Sequence, residues 1–150
     1  MASKVTKIVL GKRPETFKKE VRAPMLDGST GCMEVSYRYR TRSELAELTD
    51  KFQARLKDEA NSEIERFNAA VEKAKSAGEP IPEFTLTQAD IVARQAKVNV
   101  EYMTEILSGW NLDVDLDADA LAELVDTLPA MAEAIKDDYR AAINEGRLGN

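Results

Sequence analysis

The densest run of ligand-type side chains is Asp113, Asp115, Asp117 and Asp119, at every second position of an acidic stretch. Oxygen donors at that spacing open a calcium loop of the EF-hand kind, which also needs Gly at its sixth position and a bidentate Glu at its twelfth. Counted from Asp113, those positions hold Ala118 and Leu124; counted from Asp115, they hold Ala120 and Asp126. Neither register suits calcium. The expected role is structural: Asp117 or Asp119 caps the next helix, and the others sit favourably near its positive end.

A second set of reactive types is cationic. Arg38, Arg40 and Arg42, with Lys18 and Arg22, fall at the charged positions of two alternating runs. A β-ribbon with a basic face is one route to nucleic acid. Tyr37 and Tyr39 have the opposite parity, however, so they point to the core, and the acidic remainder of the chain repels phosphate. A solvated strand face, or ion pairs to acidic helices, is the expectation, and nucleic acid is not an expected partner. The single cysteine, Cys32, has no CxxC partner to activate it and reads as an inert thiol; it permits no internal disulfide, which fits a reducing compartment. The chain contains no histidine. Ser-His and Cys-His nucleophiles, imidazole acid–base chemistry and the usual zinc sites all go with it. Carboxylates, Lys or Tyr remain, but no acid pair converges, so neither an enzyme nor a cofactor nor a metal site is expected.

The elements that carry these groups follow from periodicity. Residues 5–10 read as a short strand stopped by Gly11 and Pro14. Phe17, Lys19, Val21 and Ala23 alternate with Lys18, Glu20 and Arg22; Met33, Val35, Tyr37 and Tyr39 alternate with Glu34, Ser36, Arg38 and Arg40. Period-two patterns are half-buried strands, and the turn residues Leu26 to Gly31 between them, with Asp27-Gly28, close a hairpin over about 16–40. A lone hairpin is marginal in water, so its apolar face must lie on the helices that follow.

Thr41 to Glu44 forms a capping box. From there Leu45, Leu48, Phe52, Leu56, Ala60, Ile64, Phe67 and Val71 make one helical stripe, ended by Gly78 and the Pro80-Ile81-Pro82 breaker. Asn61-Ser62 is the expected break, because Ser62 to Glu65 repeats the capping pattern. A second helix opens at Thr87 with Ile91, Val92, Ala96, Val100, Met103, Ile106 and Leu107 on its apolar side; Gly109 stops it and Trp110 folds back onto its last turn. Leu121, Leu124, Val125 and Leu128 mark a short third helix. Pro129 begins the last, with Ala132, Ile135, Tyr139 and Ile143, ended by Gly146. The fold class is α+β: an N-terminal β-hairpin or small antiparallel sheet, then a helical part of about four helices. The division is a basic part at 1–40 and a helical part at 41–150, forming one folded unit. Charge follows it: ten Lys and Arg oppose four acids in residues 1–42, and eleven oppose twenty-three in the rest.

No apolar run approaches the ~18 residues that span a bilayer, and the opening residues are too short and polar for a signal peptide. No membrane is expected, and the chain should stay where it is made. The stripe at 45–71 is the main candidate for holding a partner. It steps by four between Leu48, Phe52 and Leu56, so a strict heptad is not kept and an extended coiled coil is not expected. The candidate partner-binding residues are Leu48, Phe52, Leu56, Ile64, Phe67, Trp110 and Tyr139, with core packing as the competing role for each; self-association through the same stripe stays open.

Taken in order, the basic hairpin with Leu26-Asp27-Gly28-Ser29-Thr30, the opening Arg42-Ser43-Glu44-Leu45-Ala46-Glu47-Leu48, and Ile106-Leu107-Ser108-Gly109-Trp110-Asn111-Leu112 resemble the tail assembly chaperones of long-tailed phages and prophages. So do Leu121 to Val125, Leu128-Pro129, Tyr139 and the terminal Arg147 to Asn150. The likeness covers about 16–150. It implies a non-catalytic protein in the cytoplasm of the infected or lysogenic host, absent from the mature virion. Such a protein binds the tape measure protein, keeps it soluble and helps tail tube protein assemble on it. Members are often also made as a longer, frameshifted product. Two other readings stay open: a small structural tail or neck component of the virion, and a nucleic-acid-binding regulator using the basic hairpin.

Overall fold

In the computed structural model, residues 4–149 are described. Met1 to Ser3, at the start of the basic part, and the terminal Asn150 lie outside them. In chain order the elements are β1 (Thr16–Pro24), β2 (Thr30–Arg38), α1 (Arg42–Ala77), α2 (Gln88–Ile106), β3 (Leu107–Trp110), α3 (Ala118–Thr127) and α4 (Pro129–Glu145). The strands form one antiparallel sheet in the order β1-β2-β3.

The hairpin forms for the reasons its pattern gives. Phe17 faces Tyr37 and Val21 faces Met33 across the ladder, while Lys18 faces Ser36 and Glu20 faces Glu34 on the other side. Met25 and Ser29 close the loop with a 2.8 Å backbone bond, and Gly28 takes φ +85° in the left-handed region that turn needs. The apolar face rests on α4. There Phe17, Tyr37 and Tyr139 form an aromatic cluster with centroids 5.0–6.2 Å apart. Around it lie Val35, Met103, Ile106, Leu107, Leu121 and Ile135, all essentially sealed from solvent. One hydrophobic core therefore runs through both the hairpin and the helical part.

Five local expectations give way. Residues 5–10 form no strand, and Val5, Ile8 and Leu10 stay exposed; a strand without a neighbour to pair with gains too little to order. Helix α1 runs unbroken past Asn61 for 36 residues. Inside an intact helix the amide groups that Ser62 would cap already bond the preceding turn, so the repeated capping pattern has no orphan donors to serve. Gly109 does not terminate α2, which ends at Ile106 with Leu107 already extended at φ −98° and ψ 134°. Nor does Trp110 fold back on the helix: Leu107 to Trp110 leave it as β3, pairing with Val35 to Tyr37. The register slips by one between Ser36 and Tyr37, leaving Ser108 outside the ladder. On α2, Val92 is exposed, and Val98, which the stripe omitted, is buried.

The caps read from sequence are present. Thr41 and Glu44 form a reciprocal capping box at α1, Thr87 and Asp90 do the same at α2, and Asp117 accepts from the Ala120 amide at 2.8 Å to start α3. Gly78 and Gly146 close α1 and α4 in the left-handed conformation.

Candidate interaction surface

At 36 residues α1 is about 54 Å long, whereas a compact chain of 150 residues has a radius of gyration of about 15 Å. The stripe therefore divides. Leu45, Leu48 and Phe52 are buried against the body; Leu56 and Ile64 are exposed, and Phe67 and Val71 are half-buried.

Beside the edge-on packing of Phe52 on Tyr102, with centroids 5.5 Å apart, ion pairs bridge the two long helices. Lys51 reaches Glu105 at 3.8 Å, Arg55 Nη2 donates to Glu101 Oε1 at 2.8 Å, and Arg94 reaches Glu63 at 2.9 Å. These partners step in antiparallel register along α1 and α2. Where both helices meet α4, Phe52, Leu56, Val98 and Tyr102 line an open cleft of about 380 Å³, with Lys136 and Arg140 at its edge. Further along, Phe67 meets only an edge-on Phe84 from the linker among the described aromatic pairs, with centroids 5.1 Å apart. Ile81, Leu86 and Val92 are exposed in the same distal part of the sequence.

The seven candidate residues separate accordingly. Leu48, Phe52 and Tyr139 lie in the core. Trp110 is half-buried, and its indole Nε1 donates to Val114 O at 2.8 Å. Leu56 lines the open cleft beside Phe52, and Ile64 and Phe67 lie further along α1.

The basic residues of the hairpin turn out to be structural. Arg38 Nη1 donates to Thr104 O at 2.6 Å and Leu107 O at 2.8 Å; Arg40 donates to Glu105 O at 3.0 Å and to the Tyr139 hydroxyl at 3.2 Å. The Tyr139 hydroxyl in turn donates to Arg38 O at 2.8 Å. These cations thus satisfy the carbonyl end of α2, whose last turn has no basic residue of its own. Lys18 pairs with Glu34 and Arg22 with Glu20, so a continuous basic ribbon for phosphate is not left over. The sequence did hold a signal for the arginine caps, since acids at 101 and 105 near a helix C-terminus demand cations from elsewhere.

Groups with displaced ionisation serve the fold. The Tyr37 hydroxyl lies 3.0 Å from both Ile135 O and an Asp138 carboxylate oxygen, with one proton to share between them. Burial first, then the Asp138 charge, pushes its pKa well above the usual phenol value. Glu20 beside Cys32 raises the thiol pKa, away from the reactive thiolate. Among the described residues no group of Cys, Asp or Glu side chains is arranged to hold a metal ion, and no helix is long and apolar enough to cross a membrane.

The segment most diagnostic in the sequence also has a clear structural use. Asn111 N donates to Glu34 O at 3.0 Å, and the Asn111 side-chain oxygen accepts from Glu34 N at 2.9 Å. Gly109 to Asn111 thereby locks the helical part onto the central strand. No curated protein and no solved structure matches the chain. A family model described as phage tail assembly chaperone matches residues 1–150, the entire length. This chain belongs to the phage tail assembly chaperone family.

Proposed function

We propose that this chaperone binds the tape measure protein, holding an amphipathic stretch of that long helical client against the projecting part of α1 and α2 without catalysis. The observation that carries the reading is the divided stripe: Leu56 and Ile64 continue a core-forming pattern past Phe52, the last α1 residue in the hydrophobic core, and stay exposed. A helix-in-groove contact needs apolar anchors at helical spacing on a soluble, charged support, and α1 offers both. Binding the client in its assembly-ready form keeps it from aggregating by mass action. On this reading the protein works in the host cytoplasm, promotes assembly of tail tube protein around its client, and is left out of the mature virion.

Co-expression with the tape measure protein of the same phage tests it. The intact chain should keep that client in the soluble fraction and co-purify with it. A Leu56→Asp, Ile64→Asp double variant should lose both effects while retaining its circular dichroism and melting temperature. Stoichiometric recovery of the chain from purified phage particles by mass spectrometry would instead establish a structural virion component.

A further inference from the structure

The linker from α1 to α2 lies back along the helix it has just left. Gly78 reverses the chain at φ +67°, with Glu79 N bonded to Ala74 O at 2.9 Å. Six residues later the Phe84 ring rests edge-on against Phe67. Phe67 lies eleven residues before Gly78, about 16 Å back along the axis at 1.5 Å per residue. Six residues at about 3.3 Å each span roughly 20 Å. The strap is therefore drawn nearly straight along α1, and Pro80 and Pro82 stiffen it. Its hold is slight. Among the described residues, 80–86 make no hydrogen bond, and Ile81, Phe84 and Leu86 all remain about half exposed.

We infer that this strap is a built-in stand-in for the client, with Phe84 occupying the Phe67 end of the α1 stripe until a client segment displaces it. The inference rests on the proposed binding surface and assigns its regulation. The strap carries three large apolar side chains, Ile81, Phe84 and Leu86, and of these Phe84 packs on the stripe. A closed strap lowers apparent affinity by the fraction of molecules in which it is lifted. It also shields Phe67 from self-association when no client is present. Because residues 80–86 make one aromatic pair and no hydrogen bond among the described residues, a client helix that buries Ile64, Phe67 and Val71 together competes with the strap directly.

The experiment compares Phe84→Ala with Ile64→Asp in the full chain, measuring affinity for the tape measure protein by titration. Phe84→Ala should bind roughly three- to tenfold more tightly, the range set by loss of one aromatic pair, and should bind an apolar dye more strongly in the absence of client. Ile64→Asp should bind at least tenfold more weakly. If Ile64→Asp weakens binding and Phe84→Ala also weakens it or leaves it unchanged, the strap is not a competitor and the inference is overturned while the surface stands. If Ile64→Asp binds as the unaltered chain does, the surface itself is wrong. Both positions are exposed, and unchanged far-ultraviolet circular dichroism checks that each variant is folded.

Discussion

The body and the projecting pair of helices use the same residue types to opposite ends. In the body, Phe17, Tyr37, Met103, Leu121, Ile135 and Tyr139 are sealed, and even their polar atoms are paired, as with the two tyrosine hydroxyls. Past Phe52 on α1, Ile64 keeps 51% of its surface in water and Leu56 keeps 43%. There Arg55–Glu101 and Arg94–Glu63 bridge the two helices. Ion pairs whose side chains are about a third exposed are partly screened by solvent and contribute modestly to stability, so the two helices are held together there without a sealed core. On the proposed reading, the region that admits a client helix is thus separated from the region that holds the fold.

This contrast makes graded demands. The largest effect falls on the body: Ile135→Ala, at a fully buried position on α4, should cost about 2–5 kcal/mol in urea unfolding and lower the melting temperature by ~2–4 °C per kcal/mol. Arg40→Ala comes next. It strips the Glu105 carbonyl and the Tyr139 hydroxyl of a charged donor, for a loss of about 1.5–3 kcal/mol. A fully stable Arg40→Ala variant would show that the α2 terminus is satisfied some other way.

Alkali should act on the body too. Tyr37 and Tyr139 hold their protons more tightly folded than unfolded, chiefly through burial. Stability from these phenols is complete below about pH 10, where both states are protonated. It falls above that value, where the unfolded chain releases protons first, with Tyr37 contributing about 1.4 kcal/mol per pH unit. Tyrosinate absorbance should therefore rise together with unfolding, and titration of all four tyrosines without loss of structure would contradict the sealed cluster. The smallest effect belongs to the projection: Ile64→Ala should change stability by less than about 0.5 kcal/mol. A larger loss there would mean that α1 is packed along its whole length and the two regions are not distinct.

Much of this architecture was legible because short-range physics writes it into neighbouring residues. Period-two alternation marked both strands, Asp27-Gly28 marked their turn, and Thr41, Thr87 and Asp117 marked three helix starts. The order of motifs around Gly109, Trp110 and Asn111 was enough to suggest the family. Strand β3 was not legible: four residues give only two periods, and Leu107 fits a helical stripe as well as a strand until β2 is present to bond it. The break at Ser62 was misread because a capping pattern has force only where a helix end already exists.

For the candidate surface the same division holds. The residue sequence by itself determined that a stripe runs from Leu45 to Val71, since helical spacing is a property of one segment. Only the tertiary structure decided where along that stripe burial stops, because burial depends on what else occupies the space. The hydrophobic core takes in Leu45, Leu48 and Phe52, and Tyr139 packs on Phe17 and Tyr37; Leu56 and Ile64 stay exposed. Likewise, Arg38 and Arg40 were cations on a strand until folding brought the open carbonyls of α2 within hydrogen-bonding distance.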